Sequence, residues 1–292
     1  MKIDGSFLMS SIRSRQQGLT LIEIMVALLI GAFLLAGVIQ IFIVNKQTYR
    51  VQENLSRMQE NGRFAMDYLS RYIRLAGYVA NDPLVNNKEL TGSDQTCEIL
   101  QRIFSPPTGP ASGPTSGIIY GENNTGLSSI SDSVTVRFKA DPDDYNPMTD
   151  CLGNKVGKNA IATNRFFLEV DNNQPTLYCD PQHSAGQDPA KDPSKQPVID
   201  GVENMQIRYC EKLSNNIGCV TADKVFEWKN IQSVRMSLLV RSADDGLVNQ
   251  PQPYQWDADG DGKDDDPPPT PTDRRLRRVF TTTVSLRNTC SD

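Results

Sequence analysis

Residues 15–45 read RQQGLTLIEIMVALLIGAFLLAGVIQIFIVN. From Leu19 to Val44 the strongly polar members are Thr20, Glu23 and Gln40. At about 1.5 Å per residue, a helix of this length crosses a hydrocarbon core of about 30 Å with some tilt. An ordinary secretory signal has a shorter apolar region and is cut behind it. Here the processing point suggested by the sequence, Gly18-Leu19, stands in front. Arg13 and Arg15 upstream place the N-terminus in the cytoplasm. Lys46 and Arg50 on the far side weaken that asymmetry without reversing it.

Glu23 is the anomaly of the run. A charge at the centre of a membrane helix costs about 2.5–3.5 kcal/mol by insertion scales, so an intramembrane carboxylate is a functional candidate. The plain reading is a glutamate that snorkels to the nearby interface. The sharper one needs a cut at Gly18-Leu19, which frees an α-amine on Leu19 four residues before Glu23. That is about one helical turn. Buried in lipid or in a fibre core, the two charges are tolerable as a pair. The amine belongs either to the same chain or to a neighbouring subunit.

The remaining chain is long enough for a core of its own. Net charge is −5, and the first 18 residues (Lys2, Arg13, Arg15 and Asp4) are positive, so the body is acidic. It has no basic stripe, and no direct contact with nucleic acid is expected. All six cysteines lie after residue 90, none in a C-x-x-C pair, and His183 is the single histidine, in a polar stretch. Zinc needs tighter clusters. An even count behind a membrane segment reads as disulfides in an oxidising compartment, against the alternative of separate buried thiols. Cys210 and Cys219, flanking EKLSNNIG, are the first expected pair; Cys151 with Cys179 and Cys97 with Cys290 would follow.

Beyond the apolar run, Val51, Leu55, Met58, Gly62, Ala65, Leu69, Tyr72 and Ala76 recur at spacings of three and four. This is one apolar stripe on a continuing helix. Gly77 is its stop, ahead of Pro83. After Gly77 the period shortens. SVTVRFK (133–139), RFFLEV (165–170), TLYC (176–179), NMQIRYC (204–210), SVRMSLLV (233–240) and VFTTTVSL (279–286) read as strands. Long polar stretches, such as 103–117, 180–197 and 249–273, separate them. The expected fold class is α+β: a long N-terminal helix packed on a mostly antiparallel β-sheet body with long loops. The expected division is a leader at 1–18, a stem helix at 19–77 (19–44 transmembrane) and a β-rich body at 78–292.

DADGDGKDDD (257–266) has the spacing of a cation loop. Asp257, Asp259 and Asp261 followed by Gly262 open like an EF-hand, where alternate carboxylates converge on one hard cation. Lys263 would offer its carbonyl, and Asp265 its carboxylate. Pro268 stands where the bidentate glutamate belongs, so Ca²⁺ is weighed here against a solvated acidic loop. No catalytic constellation is legible, and no further cofactor is expected.

G-L-T-L-I-E (18–23) before an apolar run resembles the processing signal of type IV prepilins and type II secretion pseudopilins. QENGRFAMDYLSRYIRLAGY (59–78), VIDGVENMQIRY (198–209), SVRMSLLVRS (233–242) and RRVFTTTVSLRN (277–288) resemble PilW-type minor pilins. The resemblance implies a non-enzymatic filament subunit, cut after Gly18 by prepilin peptidase and N-methylated on Leu19. Glu23 would guide assembly. Other minor pilins, the major pilin, a tip adhesin and the inner-membrane assembly platform would be its partners. Adhesion and twitching motility would follow indirectly. The chain would sit in the inner membrane with its body periplasmic, then in the pilus at the cell surface. Two rivals stand beside this reading, a type II secretion minor pseudopilin and a Ca²⁺-dependent adhesive module on a pilin stem.

Overall fold

The computed structural model describes residues 18, 20–79, 100, 103–104, 117–125, 127, 131–140, 148–158, 160–183, 195–213, 216–251, 254 and 271–289. The chain divides into two compact units, 1–50 and 51–292. Helix α1 runs from Leu21 to Leu75 and contributes to both. It contains no proline.

In the first unit every described residue of α1 is exposed. Among the described residues α1 is the one helix long and apolar enough to cross a membrane.

In the second unit α1 buries Asn54, Met58, Gly62, Ala65, Met66, Leu69, Ser70, Tyr72 and Ile73. Leu55, assigned to the stripe from its spacing, is 37% exposed. Strict three-four spacing has a period of 3.5, and a straight helix drifts away from it. Two amides flank the apolar face. Asn54 donates to Asp244 Oδ2 and accepts from its backbone N–H, at 3.2 and 3.1 Å. Asn61 donates to the Asp200 backbone and side-chain oxygens. About two and three turns further on, Tyr68 and Tyr72 donate their hydroxyls to the carbonyls of Cys151 and Asp150.

Gly77 ends the helix with φ +71°, where a Cβ would stand 2.7 Å from the Asn288 carbonyl. Asn288 donates its side-chain amide to the Ala76 carbonyl, one of the acceptors a helix end leaves open. The Gly77 N–H bonds to the Arg137 carbonyl at 2.9 Å, so the chain passes straight into a sheet.

Among the described residues nine strands form two antiparallel sheets. The first has the order β1 (Ile119–Glu122), β2 (Ser133–Lys139), β3 (Ile161–Asp171), β4 (Gln174–His183), β5 (Gln196–Asp200). The second is ordered β7 (Asn216–Val220), β6 (Val202–Leu213), β8 (Ile231–Arg241), β9 (Arg277–Ser285). Hydrogen bonds from Asp132 and Ile207 tie the start of β2 to β6: Asp132 N–H to the Met205 carbonyl, and Ile207 N–H to the buried Asp132 carboxylate, both at 2.8 Å. One apolar cluster joins Ala65, Leu69 and Ile73 of α1 to Phe166, Leu177, Met205, Met236 and Val284.

The α+β expectation, a long helix on antiparallel strands, is what the structure shows. Three strands were not read from the sequence: β1, β5 and β7. His183, expected in a polar loop, closes β4 opposite Ala162 instead.

Candidate assembly site

Thr20 and Glu23 build the start of α1. Thr20 precedes the helix, and its carbonyl takes the Ile24 N–H at 3.3 Å. The Thr20 backbone N–H and hydroxyl both donate to Glu23 Oε2 at 2.9 Å. In return the Glu23 N–H points to the Thr20 hydroxyl at 3.4 Å. This is a capping box, two open donors of a helix start satisfied reciprocally. The T-x-x-E spacing before an apolar run carries that signal, though from the sequence a role was expected for Glu23 and none for Thr20. The box uses the amide of Thr20, which a cut between residues 18 and 19 leaves intact. Gly18 is exposed, with nothing within 4 Å of where a Cβ would stand. Leu19 lies outside the described residues.

In the second unit, disulfides join Cys151 to Cys179 and Cys210 to Cys219. The first fastens the 148–156 turn to β4, and Tyr68 and Tyr72 of α1 hold the same turn. The Asp150 carboxylate fixes the turn from within by accepting the N–H groups of Leu152 and Asn154. Cys97 and Cys290 lie outside the described residues, as do Asp257, Asp259, Asp261, Lys263 and Asp265. Among the described residues no group of three or more metal-ligating side chains converges.

Both described flanks of the acidic segment meet on Arg277, whose side chain is 4% exposed. It donates to Glu203 at 2.6 and 3.0 Å and to Asp273 at 2.7 and 2.9 Å. Tyr254 lies with its ring 5.9 Å from the guanidinium. The Arg277 side-chain donation holds Asp273 below the ordinary aspartate range. Burial pushes the Tyr254 phenol up to about 12. This anchor was missed because RRLRR (274–278) reads from sequence as a solvated basic run.

Residues 165–288 match the family described as Type IV Pilus-assembly protein W. Residues 13–39 match the prokaryotic N-terminal methylation motif. Together the two matches support a PilW-type type IV pilin. A type IV-like pilin from Thermus thermophilus is similar in structure at 18% identity and a TM-score of 0.35, over 72% of this chain and 98% of its own. No curated protein matches the chain. The matched PilW segment begins within β3 and ends at Asn288, the residue that caps α1. The methylation motif contains Gly18, Leu19, Thr20 and Glu23.

Proposed function

We propose that this chain is a minor pilin, a non-enzymatic subunit of the tip or priming complex of a type IV pilus. The observation that carries the reading is a methylation motif opening directly on α1, whose first thirty or so residues present apolar side chains outward. Prepilin peptidase cuts after Gly18, and Leu19 is methylated. The Leu19–Val44 segment sits in the inner membrane with the N-terminus inside, then transfers to the fibre core. Glu23 pairs there with a neighbouring subunit's amine. The β-rich body meets other minor pilins, the major pilin and a tip adhesin, and the chain supports adhesion and twitching motility through assembly. The D-x-D-x-D-G loop, with its flanks on Arg277, holds Ca²⁺ through the carboxylates of Asp257, Asp259, Asp261 and Asp265 and the backbone carbonyl of Lys263; calorimetric titration of CaCl₂ into wild type and Asp259→Asn tests this part alone.

Intact mass from cells with and without prepilin peptidase tests the main reading. A mature chain beginning at methylated Leu19, present in sheared pili, supports it. An uncut chain would mean a plain signal anchor and would sink the pilin mechanism. A cut chain that serves secretion without entering pili would favour a pseudopilin.

A further inference from the structure

The surroundings of the two described disulfides differ. Cys151 (5% exposed) and Cys179 (0%) sit in the apolar cluster under α1. Cys210 and Cys219 link β6 to β7, the last strand of its sheet among the described residues. Cys210 is 2% exposed. Cys219 is exposed, and so are Ile217 on the same strand and Lys212, which pairs with Ile217. Alternation along the two strands puts Cys210, Cys219, Ile217 and Lys212 on one face. Glu211 points to the opposite face, where its carboxylate accepts the N–H groups of Phe226 and Glu227. Thiol–disulfide exchange begins with a thiolate attacking one sulfur. The attack runs in line with the bond that breaks. In-line approach to the Cys210 sulfur comes from the β8 side, where Ser233 stands opposite and Cys210 is buried. In-line approach to the Cys219 sulfur comes from beyond β7, at the edge of the sheet.

We infer that Cys210–Cys219 is a thiol–disulfide exchange site for a dithiol protein of the C-x-x-C class, attacked at Cys219. The incoming thiolate forms a mixed disulfide with the Cys219 sulfur. The bond between Cys219 and Cys210 breaks, its electron pair leaves on Cys210, and Cys210 takes a proton from water. The reductant's second thiolate then attacks its own first sulfur, closing the reductant's disulfide and releasing Cys219, which is protonated in turn. Two electrons and two protons pass to the chain, and the dithiol is oxidised. Lys212, one pair along the row, draws in the anionic nucleophile and favours the thiolate that departs. Cys151–Cys179 is spared because both of its cysteines are buried. Reduction therefore unlocks the edge strand β7 from β6 and leaves the 148–156 turn fastened to β4.

The test uses the full chain in detergent micelles, with limiting dithiothreitol as the dithiol, an acid quench, alkylation and peptide mass mapping. Cys210–Cys219 should open at least about tenfold faster than Cys151–Cys179, because access sets the rate. Lys212→Glu, at an exposed position, should slow that opening about threefold, the size of one solvated charge interaction. Lys212→Arg keeps the charge and should open at the wild-type rate. A thioredoxin whose second C-x-x-C cysteine is serine should be trapped on Cys219. The inference is overturned if the two disulfides open equally fast, if Lys212→Glu opens as wild type does, if Lys212→Arg slows as much as Lys212→Glu, or if the trapped thioredoxin sits on Cys210. It rests on the reading that the body is periplasmic. Equal opening rates in a chain that is methylated on Leu19 and found in pili would sink the exchange site alone.

Discussion

Between Leu21 and Val44 the apolar side chains of α1 stand outward, Leu21 at 77% exposure and Phe33 at 73%. Between Met58 and Ala76 the same helix buries Ala65, Leu69 and Ile73 completely. Backbone and regularity are common to both stretches; the partner differs. The later stretch carries its own sheet in the same chain, with amides and tyrosines fastening its flanks. The earlier one has Glu23 settled internally by the capping box with Thr20 and must find its apolar surroundings outside the chain. Changes in the first stretch should therefore act on insertion and assembly, and changes in the second on stability.

The largest effect expected is on assembly. Glu23→Ala should leave processing intact and reduce the chain in sheared pili by at least about tenfold, since hydrogen bonds to a charged group contribute about 1.5–3 kcal/mol. Thr20→Val removes the hydroxyl and keeps the backbone donor, so its loss should be smaller. The ratio of sheared to cell-bound protein measures both. Equal loss in the two variants would mean that the capping box, not the pairing across subunits, is what assembly needs.

Stability changes come next. Removing the Cys151–Cys179 disulfide, with a sequence separation of 28, should cost about 2–4 kcal/mol. Removing Cys210–Cys219, with a separation of 9, should cost less, because the closed loop is shorter. Thermal melts of the two double serine variants rank them. Glycines sharpen the contrast between the stretches further. A Cβ at Gly62 would come within 2.3 Å of the Phe280 ring. Gly62→Ala should cost about 1–3 kcal/mol by overpacking, and Phe280→Leu in the same chain should recover part of it. Gly31 and Gly37 have nothing within 4 Å. Alanine there should raise helix stability by about 0.5–1 kcal/mol. A destabilised Gly31→Ala chain in micelles would contradict the exposure of that stretch.

The strongly periodic parts were legible. SVTVRFK matches β2 residue for residue, and the helix expected to stop at Gly77 spans Leu21–Leu75. The other five expected segments match or lie almost wholly within β3, β4, β6, β8 and β9. The missed strands lack that signal. β1 has four residues, one of them Gly121, whose missing side chain makes room for the buried Tyr209 hydroxyl. β5 carries Pro197, which marks an edge strand. β7 hides in the turn-like NNIGC, and its pairing with β6 sets Cys210 against Cys219. At the assembly site Glu23 was legible because a carboxylate is costly in an apolar run. Thr20 was not, because a threonine there raises no such alarm. Arg277 and its partners were invisible for a different reason: Glu203 and Asp273 are far apart in sequence and meet through sheet pairing.

That network gives the smallest effect, and its sign is fixed. Asp273 is held below its ordinary value of 3.8 mainly by the side-chain donation from Arg277. Asp245 is lowered by the backbone N–H of Arg274, then that of Gly246. A carboxyl with a lowered folded pKa takes up its proton more readily in the unfolded chain. Its contribution is whole above pH 3.8 and is lost as pH falls through the lower folded value. Neutral-to-mildly-acidic conditions should therefore leave this contribution intact, with the loss confined to stronger acid. Asp273→Asn lacks the titrating group, so its melting temperature should lie below wild type at neutral pH and approach it as the wild-type carboxyl protonates. Parallel curves for the two chains down to strong acid would show that Arg277 is satisfied by Glu203 alone. The flank of the acidic segment would then be held by Tyr254 and the backbone, not by the ion pair.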